Sequence, residues 1–299
     1  MSKGELVKKL FVIVSLVFWI LNSQLVVGAD SEEKESLKMN ALLLDRSLKV
    51  LEKGLESEEF WPSMHAAEAL TLAGKTKVVI DVLSRKLPGE TNDQRRCGLA
   101  RELVRAGDQS ALPVLFDVLN DAKSIGRIHA AESLFKLGLV GDGKSLKAAF
   151  EQTEVAQLRL YAAAALAKSG DKNARMFLSE QLDSNDPLVR NTVVFSLARI
   201  GAKNEVPRLL ALLEKEMDKA ARANIVNALA MLGDNKGCEE LGPQLGSEDP
   251  GIRVSSAEHA GLASCAKYVD KIVKLLDDPV MDVRIRASQS LILFSKMKK

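Results

Sequence analysis

The chain has 299 residues with 42 basic and 40 acidic side chains, so its formal net charge is +2. Nucleic-acid-binding proteins carry a basic excess that displaces counterions from phosphates, and this near-neutral balance argues against nucleic acid as a partner. The chain is longer than a single compact core usually is, yet no Pro-, Gly- or Ser-rich linker divides it into two globular domains.

The first element is an amino-terminal leader. Lysines within the first nine residues precede an apolar run from Leu10 to Leu21, and small residues follow at 27–29. This order predicts a signal peptide over residues 1–29, and therefore an exported protein, periplasmic or secreted. The run is short of the roughly 20 residues that span a bilayer, and an uncleaved membrane anchor is the alternative. Loss of this segment removes three Lys and one Glu and leaves a neutral chain.

Residues 30–59 form a second region, which begins with the acidic stretch DSEEKES. The apolar spacing from Leu37 to Leu55 is typical of a helix. We expect this helix to cap one end of the repeated region that follows it.

A repeat of about 31 residues occupies the rest of the chain. Arginine recurs at intervals of 31 or 32 residues, and Ser63 takes its place in an upstream unit; the positions are Arg96, Arg127, Arg159, Arg190, Arg222, Arg253 and Arg284. Small or apolar residues three, four and seven positions later share one helix face, and a Gly usually closes the helix. A second apolar helix follows, so we predict eight helical hairpins that bury their apolar faces against their neighbours.

This pattern resembles HEAT repeats, specifically the short type described in phycobilin lyases. The resemblance rests on the VR pair, the two small residues, the Leu, the Gly-Asp and the early Pro of the second helix, and it covers residues 60–299. It implies an all-α fold, a right-handed α-solenoid of about eight stacked hairpins. It also implies scaffolding and protein binding more often than catalysis.

The repeated arginine is expected to have a structural role. Carboxylates lie just before it in the stretches NDPLVR (185–190), EDPGIR (248–253) and DPVMDVR (278–284). We expect the guanidinium to pair with these carboxylates and to tie each turn to its neighbour.

Candidate contact residues lie opposite the apolar helix face, at positions two, five and nine after the arginine. The predicted contact set is Arg105, His129, Lys136, Tyr161, Lys168, Phe195 and Arg199. Its four basic members come from consecutive units and would form a row about 30 Å long. We predict a non-catalytic scaffold or adaptor of the cell envelope that binds a protein, suitably an acidic one, on its concave face. Basic side chains that are merely solvated are the alternative.

A HEAT-like enzyme is the competing interpretation. His65–Glu68 and His129–Glu132 have the three-residue spacing of carboxylate-bridged metal sites, and the HEAT-like enzyme deoxyhypusine hydroxylase carries such pairs. A whole unit separates the two pairs, about 16–20 Å at usual helix spacing, so we predict no metal, cofactor or catalytic residue. Bilin lyase chemistry has only the family resemblance in its favour.

The three cysteines, Cys97, Cys238 and Cys265, lack metal-binding spacing. We expect buried free thiols. A disulfide between Cys238 and Cys265 is the alternative, because one begins a second helix and the other ends the first helix of the next unit.

Overall fold

The computed structural model describes residues 41–297, which contain helices and no strands. They fall into two compact units. The described part of the first unit is residues 41–46, which are helical, and the described part of the second unit is residues 47–297. The predicted signal peptide over 1–29 lies outside the described residues. Across 41–297, no helix has both the length and the apolar character that a bilayer crossing requires.

The second unit begins with α1, residues 47–55, and then alternates between inner and outer helices. The inner helices contain the repeat position: α2 (Phe60–Leu72), α4 (Asp93–Ala106), α6 (Arg127–Leu137), α8 (Ala156–Lys168), α10 (Pro187–Arg199), α12 (Lys219–Met231), α14 (Pro250–Leu262) and α16 (Met281–Lys296). The outer helices follow them: α3 (Thr76–Lys86), α5 (Leu112–Asn120), α7 (Lys144–Glu151), α9 (Lys172–Gln181), α11 (Val206–Lys215), α13 (Asn235–Gln244) and α15 (Val269–Lys274). This order confirms the predicted stack of helical hairpins.

The inner helices form a closed ring. Each packs against the next inner helix along the chain, and the last of them, α16, packs against the first, α2. Residues at similar positions of adjacent inner helices contact each other. The Asn224 side chain donates a hydrogen bond to the carbonyl of Asn191 at 3.0 Å, and Lys168 donates to the carbonyl of Phe135 at 3.2 Å. The inner helices are therefore parallel and begin at one end of the ring, which we call the amino-terminal rim. The sequence predicted an open concave face, and the structure instead joins the two ends of the stack.

Helix α1 contributes to this closure. Gly54 of α1 lies against Ile285 of α16, where an added Cβ would come within 2.7 Å of the isoleucine side chain. The carbonyl of Leu55 accepts a hydrogen bond from the Ser63 hydroxyl of α2 at 2.7 Å. No outer helix follows α16 within the described residues, and α1 covers this helix instead. Helix α1 thus contacts both the first and the last repeat.

The apolar core lies between the inner and outer helices. Each outer helix contributes at least one fully buried aliphatic side chain, and in six of the seven described outer helices this side chain lies 19 residues after the repeat arginine: Leu115, Leu146, Leu178, Leu209, Leu241 and Ile272. Complete burial of such a side chain contributes about 1.5–3 kcal/mol. Small residues of the inner helices, such as Ala67, Ala131 and Ala163, are also fully buried and allow the helices to pack closely.

Left-handed residues end the inner helices. Gly107 has a φ of 111°, a conformation that glycine adopts without steric cost, and Ser264 takes the same role with a φ of 59°. The Asp that follows the glycine then starts the outer helix, as Asp171 does by accepting a hydrogen bond from the Ala174 amide at 3.0 Å. The repeat therefore encodes both the end of one helix and the beginning of the next.

The repeat arginines bind mainly to backbone carbonyls. Arg190 donates to the carbonyls of Ser184 and Asn185 at 2.8 and 3.0 Å, where the preceding outer helix has just ended. Arg127 and Arg159 donate instead to carbonyls in the last turn of the preceding outer helix, those of Leu119 and Phe150, at 3.0 and 3.1 Å. Carbonyls at helix ends have no partner within the helix, which explains why a long cationic donor recurs here.

The expected pairing with the preceding carboxylate is wrong for Arg190 and Arg253. Asp186 and Asp249 instead accept hydrogen bonds from the backbone amides of Leu188 and Gly251, and so cap the inner helices. Arg253 reaches forward to Asp278 of the next unit, at 2.8 Å. The link between neighbouring units is thus real, but its acceptors differ from those predicted.

Cys238 and Cys265 form a disulfide that joins α13 to the turn after α14. The expectation of free thiols is wrong for this pair. Cys97 is free and buried, and burial raises the pKa of its thiol to about 12.

Candidate functional site at the centre and rim of the ring

Closure of the ring brings side chains from opposite repeats together in its middle. We call this group the charged centre, and it comprises Glu68, Arg101, Glu102, Arg105, Glu132, Lys136, Arg199, Glu258 and Arg286. The charges alternate in sign, so each cation contacts a carboxylate of its own or another helix. In an interior of this kind, the pairing of the charges offsets the cost of burying them.

Glu68 of α2 connects three repeats. Its carboxylate lies 3.3 Å from Arg105 of α4 and 3.0 Å from Arg286 of α16. Burial opposes ionisation, but the nearby charges of Arg105, Arg286 and other cations outweigh it and hold the pKa of Glu68 well below its usual value. Glu68 is therefore an anion that bridges the first, second and last repeats.

Glu258 of α14 makes the corresponding connection from the other side. It lies 3.2 Å from Arg199 of α10 and 3.6 Å from Arg286. Burial raises the pKa of this carboxyl, whereas Arg286, His259 and Arg199 together lower it to about 2, against the opposing effect of Glu68. Arg286 thus joins both carboxylates.

An aromatic cluster borders the charged centre. Lys136 pairs with Glu132 at 2.8 Å and also lies over the Phe195 ring, 5.7 Å from its centroid. Arg199 lies over the same ring at 5.0 Å, and Phe135 meets it edge-on at 6.2 Å. Burial lowers the pKa of Lys136 even though Glu132 acts in the opposite direction. Cation–π contacts therefore supplement the ion pairs here.

Glu102 of α4 is the most deeply buried anion of the centre. Its side chain is fully buried, accepts from Arg101 at 2.7 Å and also pairs with Arg105. It occupies position six of its unit, next to the positions that were expected to face inward. A buried carboxylate needs such partners, because an unpaired one would be costly.

The structure brings together only part of the predicted contact set. Lys136, Phe195 and Arg199 touch one another, and Arg105 joins them through Glu68 and Arg286. The side chains of Arg105 and Arg199 are each 16% exposed and that of Lys136 is 22% exposed. These three cations do not form the open row that the sequence suggested, because they form ion pairs with carboxylates of the inner helices.

The other members of the set lie around the edge of the centre. Lys168 is exposed and donates to the carbonyls of Phe135 and Lys136 at 3.2 and 3.4 Å, and within the described chain it pairs with no carboxylate. Tyr161 is half-buried, and burial raises the pKa of its hydroxyl. The set therefore divides into a paired centre and a more accessible edge.

The predicted contact set did not include Glu68, Glu102, Glu258 or Arg286, and Glu68 was considered only as half of a His-Glu pair. Glu68, Glu258 and Arg286 occupy inward positions, two or five, that the sequence analysis had considered, and the negative charges of Glu68 and Glu258 were the available signal. Only the closure of the ring shows that these residues meet, since α2 and α14 are distant in sequence.

The histidines and glutamates of the two His-Glu pairs contact other side chains of the protein. His65 binds Asp282 of α16 through Nδ1 at 2.7 Å, whereas Glu68 binds arginines. His129 lies 3.7 Å from Glu132 and stacks on Trp61, with 5.5 Å between ring centroids. Within residues 41–297, no group of three His, Cys, Asp or Glu side chains is arranged to hold a metal ion.

The amino-terminal rim carries exposed apolar side chains. They lie at or just before the starts of five inner helices, and we call them the apolar arc: Trp61, Ile125, Val155, Leu188 and Met217. Exposed fractions reach 54% for Leu188, 69% for Ile125 and 89% for Met217. Four members come from consecutive repeats, whose inner helices pack about 8–10 Å apart, and the stacking of Trp61 on His129 links the fifth to them. Clustered exposed apolar residues are typical of interaction surfaces.

The chain is similar to two solved structures of low sequence identity. Among solved structures, human deoxyhypusine hydroxylase in complex with glycerol is 18% identical, with 87% of this chain and 99% of that chain covered and a TM-score of 0.41. The complex of CpcE and CpcF of phycocyanin lyase from Nostoc sp. PCC7120 is also 18% identical, with coverage of 84% and 94% and a TM-score of 0.44. No curated protein matches the chain.

The family comparison is more specific. A family model described as HEAT repeats matches residues 143–215 and 206–292. The two matches together span half of the chain. These matches run from α7 into α16 and include the repeat arginines from Arg159 to Arg284. The chain belongs to the HEAT-repeat family.

Proposed function

We propose that this chain is a non-catalytic protein-binding scaffold of the cell envelope and that it binds its partner at the amino-terminal rim. The observation that carries the proposal is the apolar arc, which exposes side chains of equivalent location in successive repeats. Solvent-exposed Ile, Leu and Met side chains contribute little to folding, and their burial by a partner would stabilise a complex.

The charged centre is less suitable for the first contact with a partner. Arg105, Lys136 and Arg199 already pair with carboxylates, so an acidic partner would have to displace those groups. Binding by the predicted contact set remains a proposal, and Lys168 is its most accessible cation. The exposed Lys168→Glu variant tests it: normal partner recovery would remove Lys168 from the proposed contacts.

Envelope location is supported by two features. The basic, apolar and small-residue order of residues 1–29 is that of a signal peptide, and disulfides such as Cys238–Cys265 persist in oxidising compartments. Mass spectrometry of the mature protein tests both, because cleavage after residue 29 and a single alkylatable thiol are expected. An intact amino terminus with three free thiols would contradict the proposal.

The binding surface is tested by partner recovery from the native envelope fraction. The triple variant Ile125→Ser, Leu188→Ser, Met217→Ser removes most of the exposed arc. The control Met176→Ser changes a side chain that is 59% exposed on the outer helix α9. We expect the triple variant to lose saturable recovery of proteins that wild type and control retain. Equal recovery by all three would refute the rim as the binding surface.

A further inference from the structure

We infer that the partner segment recognised at the amino-terminal rim is a basic amphipathic helix. This inference rests on the proposed function, since it specifies the chemistry of the partner at the same surface. It follows from three features of the rim: the charge of its loops, a cavity between the first two repeats and the spacing of the apolar arc.

The loops of the amino-terminal rim are acidic. They connect each outer helix to the next inner helix, and they expose the carboxylates Glu56, Glu58, Glu59, Asp121, Glu154, Asp183, Asp186, Asp218, Glu248 and Asp249. Lys123 is the only basic residue of these loops in the second unit's described part. The loops at the opposite end are more balanced, with Lys75, Lys203 and Lys267 beside Asp108, Asp142, Asp171, Glu205 and Asp234. Negative charge therefore predominates among the exposed side chains of these loops, and the repeat arginines that donate to the loop carbonyls are less exposed than those carboxylates.

A cavity opens at the same rim, between the starts of α2 and α4. Its volume is about 450 Å³, and its lining includes the apolar side chains Phe60, Met64 and Leu99 together with the carboxylates of Glu56, Glu58 and Glu90. Arg95 and Lys86 also line it, and Arg95 is held 5.5 Å over the Phe60 ring. An apolar base with acidic groups around it suits an aliphatic or aromatic anchor flanked by Lys or Arg.

The spacing of the arc suits a helix. Neighbouring inner helices pack about 8–10 Å apart, and successive apolar residues on one face of a helix, at i, i+4 and i+7, lie about 5–10 Å apart along it. A helix placed across the rim could therefore contact one arc residue per repeat. Its polar face, if basic, would lie next to the acidic loops.

Charge also separates a peptide from a membrane as the occupant. Bilayer leaflets rich in anionic lipids attract basic surfaces. The acidic loops would be repelled by such a leaflet as the apolar arc approached it. The rim therefore favours a basic protein segment over a lipid surface.

The test uses a synthetic 18-residue peptide of leucine and lysine in helical spacing, and an otherwise identical peptide with glutamate in place of lysine. Binding to the mature protein is measured by isothermal titration calorimetry at low and high salt. We expect saturable binding of the lysine peptide that weakens with salt and no binding of the glutamate peptide.

Two sets of variants locate the binding. Glu58→Lys, Glu154→Lys, Glu248→Lys reverses rim charges, and Asp142→Lys, Glu239→Lys, Asp270→Lys is a control of equal net charge at exposed positions of the loop before α7, of α13 and of the start of α15. The rim set is expected to weaken the lysine peptide about tenfold or more, and the control set about twofold or less. Equal effects of the two sets would overturn the inference.

The remaining outcomes are also decisive. Binding of the glutamate peptide that depends on the arc would overturn the basic partner but leave the proposed function intact. Arc-dependent binding to phosphatidylglycerol vesicles, without binding of the lysine peptide, would replace the protein segment by a membrane. Absence of any peptide binding also overturns the inference, and partner recovery from the envelope fraction then decides whether the proposed function fails with it.

Discussion

The charged centre and the amino-terminal rim both contain many ionised side chains, and their environments differ. In the centre, Glu68 and Glu258 lie within about 4 Å of two arginines each and are largely shielded from water. At the rim, Glu58 and Glu248 are exposed in loops at the same end of the ring as the apolar arc. A buried side chain that is already ion-paired mainly determines which helices pack together. An exposed charged side chain at the rim is available to form an ion pair with another molecule.

This contrast changes how a basic row in a repeat sequence is interpreted. Arg105, Lys136 and Arg199 have the same spacing whether the stack is open or closed, but only an open stack presents them to a ligand. Because α16 packs against α2, their partners are carboxylates of the protein itself. The following predictions test the difference between the two regions, beginning with the largest effect on stability.

Removal of an anion from the centre should have the largest effect. Glu68→Ala leaves Arg286, which is 5% exposed, and Arg105 without a shared carboxylate. Breaking a buried ion pair in this way typically costs about 3–5 kcal/mol of the free energy of unfolding. Urea denaturation of the variant and of the exposed control Glu180→Ala measures the difference. Similar midpoints for the two variants would show that the centre is not stabilised by its ion pairs.

Acid should weaken the centre over a defined pH range. The pKa of Glu258 is lowered to about 2 in the folded protein, while a glutamate in the unfolded chain titrates near about 4.3. The folded state therefore gains stability from this group above the unfolded pKa and loses it as pH falls toward about 2. Free energies of unfolding at a series of pH values should fall more steeply for wild type than for Glu258→Gln. Parallel curves would contradict the assignment.

Loss of a repeat arginine should have an intermediate effect. Arg253 donates to Asp278 at 2.8 Å and to the carbonyls of Ser247 and Glu248 at 2.8 and 3.1 Å, so it anchors a rim loop. Arg253→Ala should cost about 2–3 kcal/mol, because several charge-assisted hydrogen bonds are lost. Arg253→Lys should recover only part of this, since an ammonium cannot reproduce the planar fork of donors. Full recovery by lysine would show that charge alone matters at this position.

Changes to the apolar arc should affect stability least. Leu188→Ser replaces a side chain that is 54% exposed and should change the free energy of unfolding by less than about 0.5 kcal/mol. The same variant should reduce partner recovery. A loss of binding without a loss of stability would distinguish the rim from the charged centre. A large loss of stability would show that Leu188 has a folding role that its exposure does not suggest.

Local patterns predicted the hairpins well because they depend on neighbouring residues. The apolar spacing after each arginine, the left-handed Gly107 and the capping Asp171 act within one or two helical turns, and the structure has these features as expected. The acceptors of Arg190 were harder to predict. They are backbone carbonyls that follow a helix end and have no hydrogen-bond donor within the helix, and no residue type identifies such carbonyls in the sequence.

The sequence by itself determined the helical repeat, the inward positions of its charged residues and the small side chains that let helices pack. Closure of the ring was decided only in the tertiary structure, because contacts of α2 and α1 with α16 depend on curvature accumulated over all the repeats. That closure turned the predicted basic row into part of a paired network. It also left the amino-terminal rim, whose loops look unremarkable one by one, as an exposed acidic and apolar surface.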